Sequence, residues 1–240
     1  MNTWDWEPTV VVGCAMLAIG YLAVVRRRLN RAPYFLAGVV LLLLDLVSPI
    51  DTLADRYLFS AHIVQHFFLA LVIPPLLLLG TPVFELGALT KLERAVGQPP
   101  VSWLLGVGTM LGWHVPAFFN AALANDGLHI FQHLSFLVTG AIFWWPVLGP
   151  VQDRRLPAVA AVTYLFSACV CCSLLGAFLT FTPVGLYPAY LHPPPPNYWG
   201  LDPQSDQQLG GMLMWVPGCF VYLSGILSTV MRWYTAERTA

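Results

Sequence analysis

Two five-residue strings in the chain share one pattern, His62-Ile63-Val64-Gln65-His66 and His129-Ile130-Phe131-Gln132-His133, and they hold four of its six histidines. On a helix, residues four apart share a face, with Cβ atoms about 5–6 Å apart. Each string therefore presents two imidazoles side by side. Two such pairs on neighbouring helices would form a site for a transition metal. Little else in the chain can do chemistry.

The elements that must carry these pairs are apolar. The chain has 240 residues, of which 58% are hydrophobic and 10% charged, against about 25% charged in a soluble domain. That composition predicts an all-α polytopic membrane protein whose first partner is the lipid bilayer; nothing in it points to a nucleic-acid partner. A helix crosses the bilayer in about 20 residues. Seven stretches approach this length, over residues 9–25, 33–48, 61–79, 101–115, 128–148, 157–179 and 209–231, the second and fourth being short. Arg26, Arg27, Arg28, Arg31, Lys91, Arg94, Arg154, Arg155, Arg232 and Arg238 fall in alternate connections, and Arg56 alone in the others. The positive-inside rule makes the Arg-rich side cytoplasmic. Seven spans then put the N-terminus outside and the C-terminus inside. Met1–Pro8 carries acidic but no basic residues, so the first span reads as a retained helix rather than a cleaved signal.

On this topology the unusual polar residues gather in the outer leaflet, and ionisable groups within a membrane usually mark function. His62, His66, His129 and His133 enter from outside. His114 ends the fourth span, Asp45 lies in the outer half of the second, and Asp51 follows it. Asp126 precedes the fifth span; Asp206 and Gln207 open the seventh, with Met212 and Met214 one and two turns further. These histidines are the candidate ligands. Each has a plainer reading: His114 as a hydrogen-bonded helix end, Asp126 as an N-cap, Asp51 as a cap or a partner of Arg56, and the methionines as packing. Asp45 could orient a histidine, and Gln65 and Gln132 could bridge helices. Imidazole suits copper, zinc, iron and nickel alike. An outward-facing site with thioethers nearby leans towards copper, with zinc and iron left open.

Both histidine strings open helices expected to end at proline, Pro74-Pro75 and Pro146, and each is followed by a Gly and a further Pro, Pro82 or Pro150. This predicts a parallel duplication of a helix pair. The whole chain reads as one domain. Its longest outer segment, 180–208, contains Pro193-Pro194-Pro195-Pro196 and the aromatics Tyr187, Tyr190, Tyr198 and Trp199. It reads as a semi-rigid interfacial flap, serving as a spacer, a cap over a site or a docking surface. Cys14, Cys169, Cys171, Cys172 and Cys219 all lie within spans, where packing outweighs a copper-thiolate reading.

The runs Ser48-Pro49-Ile50-Asp51, Ser60 to His66, Pro74 to Pro82, Trp113-His114-Val115-Pro116, His129 to Phe136, Phe143-Trp144-Trp145-Pro146-Val147 and Asp206 to Trp215 resemble the seven-helix CtaG family of bacterial cytochrome c oxidase assembly factors. The resemblance covers most of the chain from the second span on. It implies a multi-pass protein of the bacterial plasma membrane that matures a haem–copper oxidase by handling copper, with oxidase subunits and periplasmic copper chaperones as partners. It carries His62, His66, His129, His133 and Asp206 over as site residues.

A non-enzymatic copper chaperone is the leading reading. A di-iron oxygenase would want more histidines, on the cytosolic side. A b-type haem needs only one histidine from each of two helices, and a transporter would need polar residues through the full depth.

Overall fold

The computed structural model describes residues 4–25, 29–82, 97–191 and 200–239. Arg26, Arg27, Arg28, Lys91, Arg94, the four prolines 193–196, Tyr198 and Trp199 lie outside the described residues. Every long element among the described residues is helical: α1 (Pro8–Val25), α2 (Ala32–Val47), α3 (Pro49–Arg56), α4 (Phe59–Phe67), α5 (Ile73–Gly80), α6 (Pro99–Trp113), α7 (Pro116–Leu123), α8 (Asp126–Leu148), α9 (Ala158–Phe181) and α10 (Pro203–Thr239). By length and apolar composition five runs can cross a membrane: α1, the continuous α4–α5, α8, α9 and α10. A sixth is added if α2 and α3, bent by 49° at Ser48, form one broken span. Apolar side chains such as Val159, Phe178, Phe181 and Phe220 point outwards, as a lipid-facing surface requires.

The expected stop at Pro74-Pro75 does not occur. The helix passes through both prolines to Gly80, with a wide π turn over Phe68–Val72 just before them. Proline has no N–H to donate, so the carbonyls four residues earlier, Ala70 and Leu71, lose their usual partners, and a π turn is one way to absorb the mismatch. Gly140 of α8 packs onto this spot. A Cβ there would lie 2.6 Å from the Ala70 carbonyl, so only glycine allows the approach. That contact brings α8 alongside α4–α5 and turns the two histidine pairs towards each other. Pro146 likewise sits inside α8, which ends at Leu148.

The pair α9–α10 is held by a second set of glycines. Gly176 faces Trp215, and Gly211 packs against the Thr180 backbone nitrogen and the Gly176 carbonyl. Small residues let helix backbones approach in a membrane, where dispersion rather than the hydrophobic effect joins helices. α10 runs well beyond the expected 209–231 at both ends. α1 is tied at its C-terminal end, where the Tyr21 hydroxyl donates to the Gly80 carbonyl at 2.8 Å and the ring stacks on Phe35 at 4.0 Å.

A buried histidine cluster capped by aromatic side chains

The first turn of α4 starts the site. Leu58 at its N-cap offers no side-chain acceptor, so the free N–H groups of a helix start need one from elsewhere. Asp206 of α10 supplies it. One carboxylate oxygen accepts from Phe59 N at 2.7 Å, and the other from Ser60 N at 3.1 Å and the Ser60 hydroxyl at 2.5 Å. Negative charge at a helix N-terminus is favourable. Asp206, expected as a site residue from the family resemblance, is instead committed to the backbone of α4, and it fixes the helix that carries His62 and His66.

Both of those rings are buried, His62 completely and His66 with 3% exposed. Their Nε2 atoms lie 2.8 Å apart. The flap decides which one carries the proton. The Tyr190 hydroxyl donates its hydrogen to the Ala54 carbonyl at 2.6 Å, so at 3.0 Å from His62 Nδ1 it must accept. His62 is therefore protonated on Nδ1 and offers a lone pair at Nε2. His66 then donates from Nε2, which leaves a lone pair on Nδ1. Burial first, then the Asp55 and Asp206 carboxylates, push the Tyr190 phenol well above its ordinary range, so it stays a hydroxyl. Fixing the far nitrogen of an imidazole is how ligating histidines are oriented. Tyr190→Phe should accordingly weaken metal binding about tenfold and cost about 1–3 kcal/mol through the unpaired His62 N–H and Ala54 carbonyl; a metal titration that matches wild type would refute the orienting role.

α8 brings the second pair. Ring centroids are 5.3 Å apart for His62–His129, 5.6 Å for His66–His133 and 4.2 Å for His129–His133. His62, His66 and His133 each place a ligand atom within 4.8 Å of the others, as do Asp55, His62 and His129. His62 belongs to both triplets, so the two pairs form one cluster. Asp55 of α3, 3.7 Å from His129 Nδ1, carried no motif in the sequence. His114 sits at the end of α6, where its Nδ1–H donates to the Met110 carbonyl at 2.7 Å. Its ring is 5.9 Å from His66.

Four buried ring nitrogens have no hydrogen-bond partner among the described residues: His66 Nδ1, His114 Nε2, His129 Nε2 and His133 Nε2. An unpaired buried polar atom costs about 1–3 kcal/mol. Several in one cluster, all neutral nitrogen donors, fit a bound transition metal.

Aromatic side chains roof the cluster. Phe119 of α7, fully buried, lies 4.9 Å from the His62 ring and 4.2 Å from Tyr187, whose hydroxyl donates to the His114 carbonyl at 2.8 Å. Tyr187 and Tyr190 are buried, in the role of a cap rather than of interfacial anchors. Phe119 and Asp55 had no signal in the sequence, because each gains meaning only from the partner it meets in space.

The other candidates are placed apart. Gln65 donates to the Asp45 carbonyl and to Asp51 Oδ1, tying α2 and α3 to α4. Asp51 therefore neither caps α3, which Ser48 does, nor approaches the histidines as closely as Asp55. Asp45 is buried, with Oδ2 unpaired. Asp126 is exposed, and Asn125, not Asp126, caps α8 by accepting from Leu128 N. Gln132 is buried beside the cluster with its amide unpartnered among the described residues. Gln207 donates to the Leu179 and Thr182 carbonyls, closing the end of α9. Met212 is exposed and Met214 buried.

Three mycobacterial proteins are similar to the chain along nearly its whole length. An uncharacterized protein of Mycobacterium leprae is 26% identical over 263 residues, covering 97% of this chain and 40% of its own length. Uncharacterized proteins of Mycobacterium bovis and Mycobacterium tuberculosis are each 27% identical over 270 residues, covering 99% of this chain and 40% of theirs. The chain thus spans about two fifths of the length of these relatives. No solved structure matches it. The model of the cytochrome c oxidase caa3 assembly factor family matches residues 16–236, and the chain belongs to that family.

Proposed function

We propose that the chain is a non-enzymatic assembly factor that holds a copper ion in its histidine cluster and assists metallation of a haem–copper oxidase subunit. The observation that carries the reading is the convergence of His62, His66 and His133 within 4.8 Å in a buried site where His66 Nδ1 and His133 Nε2 lack hydrogen-bond partners among the described residues. His129 and Asp55 border it, and His114 approaches through His66. The family gives the process, oxidase assembly, and the donor set gives the chemistry. Copper would exchange between imidazoles here and acceptor ligands on the oxidase subunit or on a periplasmic copper chaperone.

The orientation follows from charge. The cluster lies where α4 and α8 begin, whereas Arg154, Arg155, Arg232 and Arg238 lie near the ends of α8 and α10. The positive-inside rule then places the cluster at the outer face of the bacterial plasma membrane. With α2 and α6 as short spans, the chain makes seven passes, N-terminus outside. The matching histidine strings on α4 and α8 support a parallel duplication.

The test is elemental analysis of the purified protein beside a His62→Ala, His129→Ala variant, with oxidase maturation measured in cells supplied with either form. Copper should accompany the wild type and fall to about a tenth or less in the variant, with a parallel loss of mature oxidase. A metal-free wild type, together with normal maturation by the variant, would overturn the reading; zinc or iron in place of copper would correct the ion.

A further inference from the structure

Beneath the histidine cluster, towards the membrane interior, lies a cavity of about 30 Å³. Room of this size holds about two water molecules, enough for a single bare ion. Its lining includes the nitrogen- and sulfur-bearing side chains His66, His114, Met110, Met214 and Cys172. No carboxylate lines it.

The two imidazoles are prepared as ligands. His114 spends its one proton on the Met110 carbonyl, so Nε2 carries a lone pair, and that atom is buried without a partner. His66 spends its proton towards His62, and its Nδ1 is likewise buried and unpartnered. Around them stand two thioethers, and a thiol whose weak contact is with the Met214 carbonyl at 3.7 Å. Soft sulfur donors suit Cu(I), and thiolates also zinc and iron–sulfur clusters; two thioethers beside one thiol tip this set towards Cu(I). The lining is neutral and the surroundings are apolar, which favours a monovalent ion, because the cost of desolvating a charge in such a medium is already large for one unit and rises with its square.

We propose that this cavity is a second, sulfur-lined ion position that takes Cu(I), sharing His66 with the outer histidine cluster. This deepens the copper-handling reading and rests on it for its physiological role. The two positions differ in chemistry: the outer one is built from imidazoles and accepts Zn(II) as well as copper, and the inner one discriminates for the soft monovalent ion. His66 stands between the two: as a neutral imidazole it ligates through one nitrogen at a time, Nδ1 at the cavity or, once its proton has moved to Nδ1, Nε2 at the outer cluster, so an ion can pass by exchange at one side chain.

The experiment titrates the purified full chain in detergent with Cu(I), anaerobically against a chromophoric chelator, and separately with Zn(II). Wild type should bind about two Cu(I) and about one Zn(II), and its copper X-ray absorption should show sulfur neighbours. Met110→Leu with Met214→Leu, a swap that cores tolerate, should lose one Cu(I) and the sulfur signal and keep Zn(II); Cys172→Ala should lower Cu(I) affinity alone. A wild type with one Cu(I) and no sulfur scatterers, or a double leucine variant that keeps two, overturns the second position. One sulfur-bound Cu(I) with no Zn(II) would instead remove the outer histidine site and keep the cavity.

Discussion

Replacing His62 and His66 together by phenylalanine is expected to abolish zinc binding while leaving the metal-free protein folded. The reason lies in what surrounds the two rings. They pack against Phe119 and Phe136, with ring centroids 4.9 Å apart for His62–Phe119 and 4.4 Å for His66–Phe136, so aromatic rings suit the surroundings. Two phenylalanines, however, cannot keep the 2.8 Å approach of the paired nitrogens and must shift apart, an overpacking cost of about 1–3 kcal/mol. The mutual hydrogen bond of the histidines disappears with both its partners, and such paired removal is nearly neutral because no buried polar atom is stranded. The Tyr190 hydroxyl keeps its bond to the Ala54 carbonyl. A loss of about 1–3 kcal/mol, or about 2–12 °C in melting temperature for a chain of this size, is expected. The response to metal should differ sharply. An ion that binds only the folded protein stabilises it by about 2.7 kcal/mol at a hundred times its Kd, equivalent to about 5–10 °C. Wild type should show that rise with Cu(I) or Zn(II), and the variant should show none with Zn(II). A variant that retains the full zinc-dependent rise would show that the ion binds elsewhere.

The second large effect is structural. Gly211→Val should disrupt the α9–α10 pair. A Cβ at position 211 would run into the Thr180 hydroxyl, the Thr180 backbone nitrogen at 2.6 Å and the Gly176 carbonyl at 2.7 Å. Two of these three are backbone atoms that no rotamer change can move. Overpacking of this kind costs about 3 kcal/mol. The displacement would travel, because α10 also carries Asp206, the cap of α4. Loss of that cap loosens the turn that places His62. The expected result is a lower melting temperature, a smaller monodisperse fraction in detergent and weaker metal binding together. Gly108→Ala provides the contrast: nothing lies within 4 Å of its Cβ position, and alanine gains about 0.8–1 kcal/mol in a helix interior. Equal stability of the two variants would refute the packing argument.

Much of this protein was legible as a string of residues. Apolar runs of near-bilayer length announce helices, because no other local structure satisfies the backbone in lipid. The spacing of four between His62 and His66, and between His129 and His133, announces paired imidazoles, because helical period is a local property. The convergence of polar residues at one end followed from the alternation of charge along the chain.

What the string could not reveal depends on groups distant in sequence. Pro74 and Pro75 read as a stop, yet the helix continues, because a π turn and the close approach of Gly140 absorb their missing donors. Asp206 reads as a site residue through the family resemblance; only the packing of α10 against α4 shows it spent on Phe59 and Ser60. Tyr190 reads as an interfacial aromatic until it meets His62 and Ala54, 128 and 136 residues away. Asp55 and Phe119 carry no motif at all. The cavity beneath His66 arises where side chains from α4, α6, α8, α9 and α10 fail to fill space completely, and no single segment encodes that shortfall. Local sequence determined the helices and the donor types. Tertiary packing alone decided which donors face each other, which are already hydrogen-bonded, and where room for an ion remains.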